Sequence, residues 1–300
     1  MDMAFDAWEL RLKEQEDHIK RNRIKAVTIK ESEEGEETDF EEYSYKAYCG
    51  RYNENGILVE ETSFEPGGEV EWQCCYKYDE AGNLNEEILC CDDGTIQKKF
   101  VLTYDERKNL VEKLRYGYNG DLESRYTYNY DENNRMIEEV DYDCVYKCVD
   151  SKTIYKYDPA GNLIQEANYD AESNLDTRTD LKYDGAGRVI EEADFVTDDA
   201  GDIDTDCVIK YEYDPAGRLI ERVSSADDSV FERISYKYDE AGKIIEELLD
   251  NGGYETRYVY SYDDGGNVSK KTQYDASNDE PFVFTRYYYE YHMDANAPAS

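Results

Sequence analysis

The stretch ISYKYDEAGKIIEELL, from Ile234 to Leu249, decides the fold. Two alternating tyrosines, Tyr236 and Tyr238, lead into a turn-rich centre of Asp, Glu, Ala and Gly, and a short run of apolar and acidic residues follows. Alternation with a period of two is typical of a strand, and an Asp-x-x-Gly centre favours a tight turn. The stretch therefore predicts one β-hairpin.

Close copies of this hairpin recur along nearly the whole chain. The tyrosine before each turn repeats at steps of 24 to 30 residues, at Tyr52, Tyr78, Tyr104, Tyr130, Tyr157, Tyr183, Tyr213, Tyr238 and Tyr262. A last tyrosine run, Tyr287 to Tyr291, begins a truncated tenth unit. A second turn halfway through the units, such as NGG at Asn251, gives two strands per unit. We expect an all-β repeat protein, an antiparallel meander of about 20 strands.

The width of such a sheet restricts its shape. About 20 strands at about 4.8 Å spacing would make a flat sheet roughly 95 Å wide, which natural sheet twist does not permit. The sheet must coil, spiral or close, and we expect a coiled, spiral or superhelical sheet over residues 26–291. Residues 292–300 are expected to be a polar tail.

Residues 1–25 have a different pattern. Their apolar residues fall at helical spacing and leave a charged opposite face: Phe5, Trp8, Leu12 and Ile19. This pattern predicts one N-terminal amphipathic helix. Terminal units of repeat proteins cover exposed sheet edges, so we expect the helix to cap the first edge of the sheet. The alternative is a docking helix for another protein.

The residue types in the turns have physical reasons. Asp or Asn accepts hydrogen bonds from the backbone just ahead, and Gly supplies a positive φ. The copies at Asp105 (DERK) and Asp131 (DENN) lack that glycine. We expect Asn109 or Asn134 to take the left-handed position there, because Asn tolerates it better than most residues do.

The chain is strongly acidic. It has 72 acidic and 34 basic side chains, for a net charge of −38, and 31 tyrosines that supply aromatic surface for a folded core. This charge repels nucleic acid and anionic membrane surfaces and attracts basic proteins. No apolar run approaches the roughly 20 residues that span a bilayer. Residues 1–20 lack a secretory signal pattern, so we expect a cytoplasmic protein if residue 1 is the native start, and a cell-surface protein otherwise.

The recurring Tyr-x-Tyr-Asp-x-x-Gly-(Asn/Arg)-Leu-Ile-Glu pattern, seen at Tyr155 to Ile164 and at Tyr211 to Glu221, resembles the YD repeats of the RHS family. The resemblance covers roughly residues 26 to 291. It implies strands of a spiralling β-sheet that can wind into a shell around a toxic cargo, and an association with bacterial toxins and cell-surface contact. No toxin domain or autoproteolytic core is recognisable after the last repeat.

The residues that could carry chemistry are repeated rather than unique. Pairs of glutamates recur, at Glu60 and Glu61, Glu86 and Glu87, Glu138 and Glu139, Glu191 and Glu192, and Glu246 and Glu247. An active site needs one asymmetric constellation, so these pairs predict a solvated acidic surface. We therefore expect no enzymatic activity and no cofactor.

Two metal sites are conceivable. The alternating Asp202, Asp204 and Asp206 are a weak candidate for calcium, although an acidic hairpin turn is the preferred interpretation. The doublets Cys74-Cys75 and Cys90-Cys91 are predicted to lie approximately opposite each other. Each face of the sheet would then hold only about two thiols, too few for a structural zinc.

The tyrosine rows are the candidate binding residues: Tyr236, Tyr238, Tyr258, Tyr260 and Tyr262. Tyrosine combines apolar area with a polar tip, so such rows suit a protein or a sugar, and they also stabilise a sheet by packing across strands. We expect a non-enzymatic, acidic β-repeat binding protein, bacterial and immunity-like or scaffold-like, with a basic protein partner. The alternative is a cell-surface protein that binds carbohydrate through its tyrosines.

Overall fold

The computed structural model describes residues 24–32, 45–198, 200–227, 229–275 and 280–291. They form twenty strands. In chain order these are β1 Ile24–Ser32, β2 Tyr45–Tyr52, β3 Leu58–Phe64, β4 Val70–Tyr78, β5 Leu84–Cys91, β6 Ile96–Tyr104, β7 Leu110–Tyr116, β8 Leu122–Tyr130, β9 Met136–Asp143, β10 Cys148–Tyr157, β11 Leu163–Tyr169, β12 Leu175–Tyr183, β13 Val189–Thr197, β14 Ile203–Tyr213, β15 Leu219–Ala226, β16 Ser229–Tyr238, β17 Ile244–Asn251, β18 Tyr254–Tyr262, β19 Val268–Asp275 and β20 Glu280–Tyr291. The predicted antiparallel meander is confirmed.

The sheet closes into a barrel. Each strand pairs antiparallel with the next one, and β1 pairs with β20 as well as with β2. The expected coiled, spiral or superhelical sheet is therefore wrong, because the first and last strands hydrogen-bond to each other instead of remaining as edges. The predicted N-terminal helix lies outside the described residues. The edge that it was expected to cap does not exist, since β1 has a neighbour on both sides.

The two chain ends share the last repeat. The hydroxyl of Tyr289 in β20 donates to the carbonyl oxygen of Val268 at 2.7 Å. In β1, Val27 lies opposite Tyr289, is almost fully buried and packs against Ile29, Tyr52 and Tyr289. Thus β20 and β1 together complete the tenth unit, which appeared truncated in the sequence. We call this β1–β20 pairing the seam.

The turn at Asp79 shows why the repeat needs its residue types. The Gly82 N–H donates to the Asp79 carbonyl oxygen at 3.0 Å, and the Asp79 N–H donates to the Asn83 carbonyl oxygen at 2.9 Å. Asp79 Oδ1 accepts the Asn83 N–H at 2.8 Å, and Gly82 has φ +84°. Hydrogen bonds from Asn83 hold the pKa of the Asp79 carboxyl below its usual value. The carboxylate therefore fixes the turn.

The two turns that follow an aligned tyrosine but lack glycine, at Asp105 and Asp131, use the same geometry. Asn134 has φ +68°, which confirms the prediction for that residue. The prediction for Asn109 is wrong, because Lys108 takes the left-handed position, also with φ +68°. Asn109 instead donates through Nδ2 to Asp105 Oδ2 at 2.9 Å. The conformation follows the position, three residues after the aspartate.

The turns divide between the two ends of the barrel. The YD rim consists of the turns that follow the aligned tyrosines, from Asn53 to Asp263, and the first residue of β1 and the last residue of β20 lie at this end. The mid-turn rim consists of the turns at the opposite end, from Glu65 to Asn251.

The barrel wall has two different faces. The tyrosine face carries the aligned tyrosines and the residues on the same side of each strand, such as Tyr76, Cys74 and Glu87 in β4 and β5. The lysine face carries residues such as Lys77 and Glu86, and its lysines are largely exposed. The tyrosine face is the more buried one and contains a concave cavity, so it is the inner face of the barrel.

Candidate functional site

The aligned tyrosines tie each unit to the one before it. From Tyr78 to Tyr262, each hydroxyl donates to the carbonyl oxygen of a residue at the start of a strand in the preceding unit, at 2.6–2.8 Å: Tyr78 to Leu58, Tyr104 to Leu84, Tyr130 to Leu110, Tyr157 to Met136, Tyr183 to Leu163, Tyr213 to Val189, Tyr238 to Leu219 and Tyr262 to Ile244. Two of the predicted binding residues, Tyr238 and Tyr262, belong to this set. Their hydroxyls hold the wall together.

The other three predicted binding tyrosines lie beside them. Tyr236 is buried, and the structure places Tyr258 and Tyr260 two strands away on the same inner face. The Tyr260 hydroxyl donates to Glu247 Oε2 at 3.0 Å, and Lys271 Nζ lies 4.1 Å from the Tyr258 ring centroid. Burial, followed by the nearby Glu247 charge, raises the pKa of Tyr258. The five tyrosines therefore come together, with protein groups already packed against them.

The paired glutamates divide between the faces. On the lysine face, Glu191 accepts a hydrogen bond from Lys182 Nζ at 2.6 Å. On the tyrosine face, Glu192 accepts one from the Tyr211 hydroxyl at 2.9 Å. The opposite orientation of neighbouring side chains was predicted. The inner glutamate, however, is bonded to tyrosine rather than fully solvated, so only half of each pair belongs to an outer acidic surface.

Two inner glutamates are unfavourably placed as anions. Burial raises the pKa of Glu139 and of Glu166, and in Glu166 the charge of Glu139 adds to the effect. The Tyr155 hydroxyl lies 3.5 Å from Glu139 Oε2, and this hydrogen bond partly offsets the burial. The inner face thus holds carboxylates at a cost to the folded state.

A cavity of about 450 Å³ opens on the tyrosine face of β3 to β6. Tyr48 and Tyr76 both donate to Glu61, and the Tyr48 bond is 2.9 Å long. Burial raises the pKa of the Cys74 thiol to about 11, which keeps it protonated at neutral pH. Carboxylates beside an indole ring suit a positively charged group. The cavity is lined by Glu61, Glu71, Trp72, Cys74, Tyr76, Glu87, Leu89 and Gln97, which sequence reasoning missed because they come from separate strands.

The mid-turn rim combines exposed apolar side chains with carboxylates. Its exposed apolar residues are Ile96, Tyr118, Val145, Tyr146, Val149, Ile203, Val230, Phe231 and Tyr254. Within the described residues, these rim carboxylates form no salt bridge: Asp92, Asp93, Asp121, Asp143, Asp150, Asp170, Asp202, Asp204, Asp206 and Asp250. Sequence reasoning missed this surface, although large apolar residues in two of the turns were a visible signal.

In neither of the two conceivable metal sites does the structure bring the candidate ligands together. Asp204 lies opposite Val196 and Asp206 occupies a bulge, so the two calcium candidates within β14 do not converge. Cys75 lies opposite Ile88 and not opposite either cysteine of the second doublet, a shift of two residues from the predicted alignment. No group of three or more Asp, Glu, His or Cys in the described part of the chain is arranged to hold a metal ion.

No helix among the described ranges has the length and apolar character needed to cross a membrane.

The repeat and its geometry match one protein family. The family model described as Teneurin YD-shell matches residues 17–277. The chain belongs to the Teneurin YD-shell family. This confirms the YD-repeat resemblance seen in the sequence. The tyrosine and aspartate of the YD-shell repeat are the residues that here bond one unit to the preceding one and close each turn. No curated protein matches the sequence.

Several solved structures are similar to this YD-shell chain. The crystal structure of TcdB2-TccC3 is 18% identical, with a TM-score of 0.46, and the match covers 86% of this chain and 15% of that one. The Photorhabdus luminescens Tc holotoxin pore is 14% identical, with a TM-score of 0.35, over 80% and 16% of the two chains. A porin-like protein from Bacteroides uniformis is 11% identical, with a TM-score of 0.39, over 90% and 97%. The chain spans about 15% of the length of the TcdB2-TccC3 chain that it matches.

Proposed function

We propose that this YD-shell chain is a non-enzymatic binding protein, immunity-like or scaffold-like, whose partner is a basic protein. The observation that carries the proposal is the uneven neutralisation of its carboxylates. On the lysine face, Glu86, Glu191 and Glu246 each pair with a lysine at 2.6 Å. The mid-turn rim carboxylates named above have no such pairs within the described residues. Negative charge is therefore less neutralised at the mid-turn rim than on the lysine face, and the mid-turn rim also exposes apolar side chains.

A basic partner fits both properties of that rim. Unpaired surface carboxylates attract a cationic surface over about 10 Å at moderate salt, which speeds encounter. Exposed tyrosine, phenylalanine and valine supply the apolar contact that stabilises a complex once it forms. The net charge of −38 adds a long-range field of the same sign.

The tyrosine rows favour a protein partner over the carbohydrate alternative. The hydroxyls of Tyr238, Tyr260 and Tyr262 bond to groups inside the wall. A sugar site of this kind needs polar groups that are available to the ligand as well as a stacking surface. The division of each glutamate pair between two faces supports a non-enzymatic role, because the two carboxylates cannot act on the same substrate.

Salt-dependent capture tests the proposal. The immobilised chain is incubated with lysate of its organism of origin at low and at high salt, and captured proteins are identified by mass spectrometry. The expected result is a basic protein that is held at low salt and released at high salt. That protein is then purified and its Kd measured by calorimetry at both salts. A Kd that does not change with salt, or the absence of any basic protein, would overturn the proposal.

Two charge-matched variants test the location of the field. Asp92→Asn/Asp121→Asn/Asp150→Asn removes three charges at the mid-turn rim. Glu86→Gln/Glu191→Gln/Glu246→Gln removes three charges on the lysine face. The rim variant is expected to bind the purified partner roughly tenfold more weakly than the face variant does. Equal Kd values for the two variants contradict a partner at the mid-turn rim.

A further inference from the structure

Two neighbouring mid-turns depart from the composition of the others. Elsewhere on this rim the turns are built from small and polar residues, as in EPGG at Glu65 and DDAGD at Asp198. The turn after β7 contains Tyr118, and the turn after β9 contains Val145 and Tyr146. Because all these turns serve the same structural purpose, the polar copies show that the fold itself does not require large apolar residues here. The large apolar residues of these two turns therefore serve a purpose other than forming the turn.

The structure joins the two turns and projects their apolar residues outward. The Cys144 N–H donates to the Glu123 carbonyl oxygen at 2.8 Å, which bonds one turn to the strand that follows the other. Asp143 Oδ1 accepts the N–H groups of Val145 at 2.7 Å and Tyr146 at 2.8 Å, which fixes the backbone of the second turn. Fixed backbone keeps a contact surface preorganised, and this lowers the entropy cost of binding.

The apolar side chains on these two linked turns are all largely exposed. Tyr118 is 82% exposed, Val145 64% and Tyr146 81%. Singly exposed apolar residues are ordinary on protein surfaces, but neighbouring ones on linked turns mark an interaction site. We call these three residues the tyrosine patch.

Carboxylates surround the tyrosine patch. Asp121 belongs to the first turn, Asp143 begins the second, and Asp150 follows it in β10. Asp141 lies in β9, two residues before Asp143 and therefore further from the rim. Its Oδ1 is buried and accepts no hydrogen bond within the described residues. Burial and then the charge of Asp150 raise the pKa of Asp141. The cations nearby are Arg115, whose Nε lies 3.5 Å from Glu123 Oε2, and Lys147 in the second turn.

The chain itself shows how a cation uses such neighbours. Arg188 bonds to Asp184 with both Nε and a terminal nitrogen, at 2.7 and 2.6 Å, while its guanidinium lies 4.6 Å from the Tyr213 ring centroid. Arginine can contact a carboxylate and a tyrosine ring at the same time, because its planar guanidinium donates two hydrogen bonds to the carboxylate while its face stacks on the ring. The tyrosine patch offers the same two partners to a cation from outside.

We propose that the tyrosine patch and its carboxylates are the docking surface for a basic protein segment, in which arginine or lysine alternates with apolar residues. This inference rests on the proposed function and assigns it a location. The cations of the segment pair with Asp121, Asp143 and Asp150, and its apolar residues cover the patch. Charge complementarity selects this occupant over a second copy of the chain, which would bring the same negative surface to the contact.

Peptide selection tests the proposal without a known partner. A phage-displayed library of random dodecapeptides is selected on the wild-type chain, and selected peptides are then titrated against two triple variants by fluorescence anisotropy. Tyr118→Ser/Val145→Ser/Tyr146→Ser removes the tyrosine patch. Val230→Ser/Phe231→Ser/Tyr254→Ser is the control, since it removes a similar exposed group from the first residues of β16 and β18, at the same rim. Thermal unfolding checks that both variants fold.

The expected result is a set of peptides rich in arginine or lysine that lose roughly tenfold or more of their affinity for the patch variant and keep it for the control. Basic peptides that bind the patch variant unchanged, or that lose affinity equally for the control, overturn the docking surface and leave the proposed function standing. Selected peptides without a basic consensus overturn both.

Discussion

In the turns of the YD rim, the third residue after the aspartate has a positive φ, as Gly82, Lys108 and Asn134 show. The sequence correctly identified the aspartate as the group that accepts the backbone N–H bonds. For the turn at Asp105, the sequence prediction placed the left-handed residue at Asn109, because Asn tolerates a positive φ. The structure has it at Lys108, because the hydrogen bonds of the turn require a positive φ three residues after the aspartate. A side chain with poor left-handed propensity is tolerated at Lys108, since two backbone bonds close the turn around it.

A reciprocal exchange tests this backbone cost. Lys108→Gly is expected to raise the free energy of unfolding by about 1 kcal/mol, because glycine adopts a positive φ without a Cβ clash. Gly82→Lys is expected to lower it by a similar amount. A Cβ at Gly82 meets no atom within 4 Å, so the backbone alone carries the effect. Urea unfolding measures both, and a change of the same sign in the two variants contradicts the explanation.

The tyrosine hydroxyls allow a second prediction at this scale. Tyr183→Phe removes the donor that bonds the Leu163 carbonyl oxygen at 2.6 Å and leaves that acceptor without its partner. The expected loss is about 1 kcal/mol of unfolding free energy. Tyr118→Phe is the control, because Tyr118 is 82% exposed and is expected to change stability by less than about 0.5 kcal/mol. Equal losses in urea unfolding would show that the hydroxyl bond contributes nothing.

At the scale of the element, a hairpin such as the one at Asp184 is held by a carboxylate at its turn and by side chains on two faces. The alternation of tyrosines predicted the strands, and the turn residues predicted the hairpins. The partners across the wall, such as Tyr211 with Glu192, could not be predicted, because they depend on the exact register between paired strands, which alternation does not give and which bulges shift, as between β13 and β14. The cavity near Cys74 was missed for the same reason.

The turn aspartates predict how the hairpins respond to acid. Hydrogen bonds lower the pKa of the carboxyls of Asp105, Asp131, Asp158, Asp184 and Asp214 below the ordinary value of 3.8. A lowered folded pKa contributes stability that is fully present above pH 3.8 and is lost as the pH falls through the folded value. We therefore expect the urea midpoint to fall steeply below about pH 4.

One substitution isolates this contribution. Asp184→Asn is expected to reduce stability at neutral pH and to flatten the acid decline, since an amide cannot ionise and loses the charged pairing with Arg188. Asp176→Asn is the control, because the Asp176 carboxylate accepts no hydrogen bond and forms no ion pair within the described residues. The urea midpoint of each variant is followed from pH 7 to pH 2. An acid decline in Asp184→Asn that parallels the wild type would refute the assignment.

At the scale of the whole molecule, the barrel depends on the seam. The repeat count predicted the meander and showed that the sheet could not remain flat. Closure could not be predicted, because the pairing of Val27 with Tyr289 joins opposite ends of the chain and leaves no local sequence signal. The tenth unit appeared truncated for the same reason, since its second strand is β1.

Removing β1 tests closure. Deletion of residues 1–32 leaves β2 and β20 with unpaired backbone groups along one edge each, and such edges pair with other chains. We expect the shortened chain to associate, as measured by size-exclusion chromatography with light scattering. Deletion of residues 1–23 is the control, because it keeps β1 complete and is expected to give the same oligomeric state as the full chain. A non-associating chain after the longer deletion argues against the seam.

The seam also sets an order for synthesis. Every other strand pairing joins neighbours in sequence, and such local contacts form quickly. The β1–β20 pairing has a very long loop to close, and of the twenty described strands β20 leaves the ribosome after all the others. Until β20 is made, the nascent sheet therefore has two unpaired edges: β1 at one side, and the most recently synthesised strand at the other. Both edges are removed only when β20 has been made and pairs with β1, so closure of the barrel and protection from aggregation occur together.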